Sequence, residues 1–175
     1  MKFFQISPLL SLLTSLVVCA DISTDTGPFT LITTPDSTIP PTTVTGYVDL
    51  FYEAPQDSTT QVLWLFLVPS GSSYNEQFQM NGGVLGTTRC PDDCQGSLAY
   101  NATTPATGSQ VAFSPQYAAH AGFDINNGYL AIHGVTDNTF YLCPYTYDGG
   151  TAFQILTYAA SAVAGCTVTR VYVQH

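Results

Sequence analysis

The sequence predicts an all-β fold, and three observations carry that expectation. Short runs rich in Val, Tyr, Phe and Thr recur along the chain. Turn formers separate them, among them Pro55-Gln56-Asp57, Ser70-Gly71-Ser72, Asn81-Gly82-Gly83, Asn126-Asn127-Gly128 and Asp148-Gly149-Gly150. Helical periodicity is scarce: Thr157 to Val163 alone could form a helical turn, and the β-branched residues around it weaken even that.

The elements follow in order. Residues 21–27 read as a Thr-rich tail, and the Thr and Pro of residues 21–46 would suit an O-glycosylated arm. The apolar Phe29-Thr30-Leu31-Ile32 nevertheless makes a first strand, so the β-domain spans 28–175. Further strands are expected over 44–52, 61–69, 76–85, 110–113, 128–132, 139–143, 153–157 and 166–173. The stretch Phe78-Gln79-Met80-Asn81-Gly82-Gly83-Val84-Leu85-Gly86 is echoed by Phe123-Asp124-Ile125-Asn126-Asn127-Gly128-Tyr129-Leu130-Ala131. Each reads as apolar strand end, Asn/Gly turn and apolar strand start, the pattern of a hairpin. Phe29-Thr30-Leu31 is a weaker third copy. Three units of ~45–50 residues predict a β-trefoil-like barrel, with a β-sandwich or jelly roll as the alternative.

The N-terminus resembles an export signal. Lys2, the apolar run from Pro8 to Val18, and the small residues of Val18-Cys19-Ala20 supply a positive start, a core and a cut site, so residues 1–20 are expected to be a signal peptide. The run is well short of the ~20 residues that a membrane-spanning helix needs. The C-terminal Thr167-Val168-Thr169-Arg170-Val171-Tyr172-Val173-Gln174-His175 reads as a strand with a polar stop, so neither a transmembrane nor a glycolipid anchor is expected. Removing twenty residues from 175 leaves 155, enough for one domain with a sizeable core. The formal charge is −9, and losing Lys2 takes it to −10, with Arg89 and Arg170 the remaining cations. Such a field repels polyanions, which excludes nucleic acid and anionic membrane as partners and leaves neutral polysaccharide such as β-glucan or mannan.

Cys19 leaves with the leader, so Cys90, Cys94, Cys143 and Cys166 remain. In an oxidising compartment four thiols imply two disulfides with three connectivities. Cys90–Cys94 across Pro91-Asp92-Asp93, and Cys143–Cys166 bracketing a hairpin, are the favoured pairs. No His lies near the CxxxC to complete a metal site, and no metal or cofactor is expected.

Catalytic patterns are weak. Asp25-Thr26-Gly27 matches the triplet of aspartic proteases, but no second copy supplies the other carboxylate. His120 lies four residues before Asp124, yet no Gly-x-Ser-x-Gly turn accompanies it, and His120, His133 and His175 read as surface histidines. Glu53 and Glu76 are the only glutamates, and Asp92-Asp93 sits in the proposed Cys90–Cys94 turn, where a solvated tip or weak Ca²⁺ contact is the simpler reading. The chain is therefore expected not to be an enzyme, with a small secreted hydrolase as the remaining alternative.

Two features point to interaction. Asn101-Ala102-Thr103 is an N-glycosylation sequon expected in a Thr/Gly/Pro loop that can accommodate an oligosaccharide. Trp64, Tyr141, Tyr145, Tyr147 and Tyr158 are candidates for stacking on sugar rings, although aromatic residues also fill β-protein cores.

The run Asn127-Gly128-Tyr129-Leu130-Ala131-Ile132, then Thr139-Phe140-Tyr141-Leu142-Cys143, then Gly165-Cys166-Thr167-Val168 resembles the Cys-containing C-terminal domain of fungal cell-wall mannoproteins of the Pir type. The likeness covers about fifty residues. It implies a wall-associated domain in which Cys143 and Cys166 are structural. The Gln-containing repeats and the dibasic processing site of that family are absent from this sequence, so covalent linkage to glucan is not implied. The expectation is a secreted, glycosylated, non-catalytic fungal protein at the cell wall, with a lectin-like carbohydrate-binding module or effector as the second reading.

Overall fold

A computed structural model describes residues 25–52, 62–69, 76–87, 100–114, 117–135, 139–146, 150 and 152–175, and every regular element among them is a β-strand. In chain order these are β1 (Asp25–Thr34), β2 (Gly46–Tyr52), β3 (Leu63–Pro69), β4 (Phe78–Asn81), β5 (Val84–Thr87), β6 (Asn101–Ala102) and β7 (Ser109–Gln110). They continue with β8 (Ala112–Ser114), β9 (Phe123–Asn126), β10 (Tyr129–Ile132), β11 (Phe140–Thr146), β12 (Ala152–Tyr158) and β13 (Thr167–Gln174). The proposed signal peptide, Cys90, Cys94 and Tyr147 lie outside the described residues.

All pairings are antiparallel and join the strands into one sheet, in the order β2-β1-β4-β5-β6-β8-β3-β12-β11-β13-β10-β9 with β7 on β12. Two further pairings, β2–β3 and β1–β13, link strands that lie apart in that order. A path from β1 through β13, β11, β12, β3 and β2 therefore returns to β1. The register keeps face identity around this path: Leu31 opposes Val173, Leu142 opposes Leu156, and Val48 opposes Leu67. Leu31, Val48, Leu63, Leu65, Phe140, Leu142, Leu156, Val171 and Val173 thus share one face, and all are buried in the main core cluster. Phe78, Met80, Leu85, Phe113 and Phe123, each fully buried, complete that cluster from the shorter strands.

Both predicted hairpins form. In β4–β5 the turn residues Gly82 and Gly83 have φ of 55° and 80°, and in β9–β10 Asn127 and Gly128 have 52° and 79°. Two successive left-handed residues match the right-handed twist of the flanking strands, which is why Asn-Gly and Gly-Gly occur there. The hairpins also meet: Gly83 O accepts the Gly122 and Phe123 N–H groups, both at 3.0 Å. A side chain at 83 would come within 3.1 Å of Ala121 Cβ, so glycine serves the docking as well as the turn.

Several expectations are corrected. The third hairpin copy is not found, because Phe29-Thr30-Leu31 lies inside the ten-residue β1, whose N-terminal part pairs with β4 and whose C-terminal part pairs with β13 and β2. The threefold pattern of a trefoil is thus not confirmed. β1 begins at Asp25, within the predicted tail, because Asp25 and Thr26 pair with Asn81 and Met80, partners that local polarity does not disclose. The predicted strand 76–85 divides at Gly82-Gly83. Residues 159–163 form no helix: after Tyr158 the chain bends, and a turn closes with Cys166 N–H donating to Val163 O at 3.2 Å.

Candidate functional site

The opposite face of β2, β3, β12 and β11 carries aromatic rings. Phe51, Trp64, Phe66, Phe153 and Tyr145 are each partly buried and lie outside the main core cluster. Alternation puts them there: Val48 and Leu50 turn to the core from β2, and Leu63 and Leu65 from β3, leaving Phe51, Trp64 and Phe66 on the other side. Phe51 lies directly opposite Trp64, and Tyr145 directly opposite Phe153. Neighbouring β3 and β12 meet at Phe66 and Ile155, which brings the two pairs together.

The rings interlock, four pairs edge to face and one tilted. Phe51 and Phe153 have centroids 4.7 Å apart at an interplanar angle of 45°. Trp64 and Tyr145 are 5.6 Å apart at 75°, and Phe66 and Phe153 are 5.9 Å apart at 77°. Phe51 also contacts Phe66 at 5.9 Å and Tyr145 at 6.4 Å. Edge-to-face packing sets the positive rim of one ring against the negative face of the next, worth about 0.5–1.5 kcal/mol per pair beyond area burial. The patch therefore holds its own shape while keeping part of each ring at the surface.

The structure sorts the predicted stacking residues. Trp64 and Tyr145 come together in this patch. Tyr141, at 7% exposure, shares their face but is buried, opposite Val168 and Thr157. Tyr158, at 6%, points into the core against Phe140, so neither of these two tyrosines is available as a sugar platform. Sequence reasoning missed Phe51, Phe66 and Phe153. The spacing of Trp64 and Phe66, two residues apart on one strand, was a readable sign of a shared face, whereas Phe51 and Phe153 arrive only through long-range pairing.

Cys143 and Cys166 form a disulfide with Cα atoms 4.3 Å apart. Cys143 lies between Tyr141 and Tyr145 on β11, and the bond ties that strand to the start of β13 one position beyond the Leu142–Thr167 pair. Exposed Val168 continues this face. No family model, curated protein or solved structure matches this chain.

The remaining sequence candidates are dispersed. Asn101 sits in β6 between β5 and β8, not in an open loop, and its Nδ2 donates to Tyr117 O at 3.3 Å. His120 is exposed and does not pair with Asp124. That carboxylate instead meets His133 Nδ1 at 3.0 Å across the β9–β10 hairpin. No hydroxyl or thiol bonds to the His133 ring among the described residues. Nor do those residues hold a group of three His, Cys, Asp or Glu side chains suited to a metal, or a helix long and apolar enough to cross a membrane.

Proposed function

We propose that this chain is a secreted, non-catalytic β-domain of a fungal cell wall that holds neutral polysaccharide through its aromatic outer face. The observation that carries the reading is the clustering of five partly exposed rings from four strands outside the main core. Apolar faces of neutral sugars stack on aromatic planes, and an acidic chain with so few cations favours uncharged over anionic polymers. The likeness of the C-terminal third to Pir-type wall mannoproteins supports a wall location, and the leader-like N-terminus supports export. The pairing cycle through β1, β13, β11, β12, β3 and β2 supports a closed barrel as the scaffold.

Trp64 is the only tryptophan in the sequence, so its emission reports on the patch directly. Titrating soluble β-1,3-glucan oligosaccharides and mannan should change Trp64 fluorescence saturably. Tyr145→Ala and Phe51→Ala should each weaken the response about tenfold or more, as expected when an anchoring ring is truncated. Flat fluorescence, together with no retention on β-glucan, mannan or chitin columns, would remove the reading.

A further inference from the structure

A second surface feature lies where β13 meets the β9–β10 hairpin and the β1–β2 connection. A depression of about 240 Å³ is lined by Ser37 and Ile39 from the β1–β2 connection, Asn126, Asn127 and Tyr129 from the β9–β10 hairpin, and Arg170 from β13. The register places these groups on a common face: Tyr129 opposes both Asn126 and Tyr172, and Arg170 lies two residues from Tyr172 on the same strand. Its size falls just below the ~300–1,000 Å³ of drug-sized ligand sites, which fits one ring, not an extended oligomer.

Arg170 is the only Lys or Arg among the described residues, and it makes no ion pair among them. The two nearby acids hydrogen-bond other groups and not Arg170. Asp36 Oδ2 accepts Thr42 N–H at 2.9 Å, Thr42 Oγ1–H at 2.7 Å and Thr43 N–H at 2.7 Å, which turns the carboxylate into its own loop. Asp124 is taken by His133. The wall opposite is fixed, because Tyr129 O–H donates to Thr38 O at 2.6 Å, with Asp36 O also at 3.3 Å. Ile39, 59% exposed, offers an apolar contact beside these polar groups.

We propose that this depression binds one uronic-acid residue of a glycan, with the Arg170 guanidinium taking the sugar carboxylate. A guanidinium offers a planar fork of donors that matches a carboxylate bidentately. The Asn126 and Asn127 amides and the Ser37 hydroxyl supply both donors and acceptors for ring hydroxyls, and Ile39 covers an apolar sugar face. The charge of −9 opposes densely acidic polymers, so an isolated uronate, met by one guanidinium, is the acidic ligand it opposes least. This site is chemically and spatially distinct from the aromatic face, and its test does not depend on that reading.

The test is a backbone-amide NMR titration of the secreted chain with glucuronate, glucose and acetate in parallel. Glucuronate should shift the signals of Ile39 and of Asn126 to Ala131, with a Kd on the order of 1 mM, the scale that single-ring ligands reach. Glucose and acetate should bind at least tenfold more weakly, since each lacks half of the recognised chemistry. Arg170→Gln should abolish the shifts. Asn127→Gly keeps the left-handed turn while removing the amide, and should weaken binding severalfold. Trp64→Ala should leave it intact. Equal binding of glucose would overturn the role of the carboxylate, equal binding of acetate would overturn the sugar, and unchanged affinity in folded Arg170→Gln would overturn the site.

Discussion

Removing the Cys143–Cys166 disulfide should destabilise the chain by about 3.4 kcal/mol. The two cysteines are 23 residues apart, and the loop-entropy relation applied to that separation gives this value at 25 °C. The loss arises mainly in the unfolded ensemble, because without the bond β11 stays paired with β13 at three positions and with β12 at seven. Reduction would also cut any bond made by Cys90 and Cys94, so the clean perturbation is the double variant Cys143→Ala/Cys166→Ala. Urea unfolding followed by circular dichroism should show a lower midpoint and a steeper m-value, since an uncrosslinked chain exposes more surface on unfolding. The thermal midpoint should fall by about 7–14 °C, at roughly 2–4 °C per kcal/mol for a domain of this size. Native Trp64 emission should not change, because the ladder alone holds Tyr145 in place. A loss under about 1 kcal/mol, or an unchanged m-value, would refute the unfolded-state origin argued here.

Gly128→Ala should cost at least about 1–2 kcal/mol in urea unfolding, because position 128 sits at φ 79° and an added Cβ would lie 2.8 Å from Tyr172 Cε2. Phe113→Ala should cost about 3–5 kcal/mol by the same assay, since its fully buried ring packs on Phe78 at 6.0 Å. Burial raises the Tyr100 and Tyr129 phenols above their ordinary value of 10.0. The unfolded chain therefore ionises first, and stability that is complete below pH 10 should decline as pH rises through the folded values; Tyr100→Phe should flatten that decline in unfolding measured from pH 8 to 11. The Thr42 hydroxyl, with the Thr42 and Thr43 amides, holds the Asp36 carboxyl below 3.8. Its contribution is present above pH 3.8 and lost as pH falls through the lowered value, and Asp36→Asn should remove that acid dependence in a pH titration of the thermal midpoint.

The turns were the most legible part of the fold in the sequence. Asn81-Gly82-Gly83 and Asn126-Asn127-Gly128 require left-handed backbone between apolar strands, and that local demand marks both hairpins wherever their partners lie. The faces were less legible. In β3 the run Leu63-Trp64-Leu65-Phe66-Leu67-Val68 is apolar at every position, so no alternation says which ring faces the core. Tyr141 and Tyr145 even share a face, and only their neighbours across β12 and β13 make one buried and the other partly exposed. The start of β1 at Asp25 and the two-residue strands β6 and β7 depend on long-range pairing in the same way. A threefold repeat inferred from one good echo and one weak copy is not confirmed, because an apolar triplet is common to hairpins and long strands alike.

The ring geometry also bears on which form of polysaccharide the aromatic face would hold. Crystalline glucan or chitin presents a flat sheet of pyranose faces, and a matching surface needs several coplanar rings. Here the interplanar angles run from 45° to 77°, so no two contacting rings in the patch offer one plane. A single flexible chain can instead place one sugar against one ring and bend to reach the next. Retention should therefore be stronger on soluble or amorphous glucan than on a crystalline polymer of equal accessible surface. Sedimentation with crystalline chitin, set against affinity electrophoresis in soluble laminarin, separates these cases. Preference for the crystal would mean that the rings reorient on binding, at the cost of edge-to-face contacts worth about 0.5–1.5 kcal/mol each.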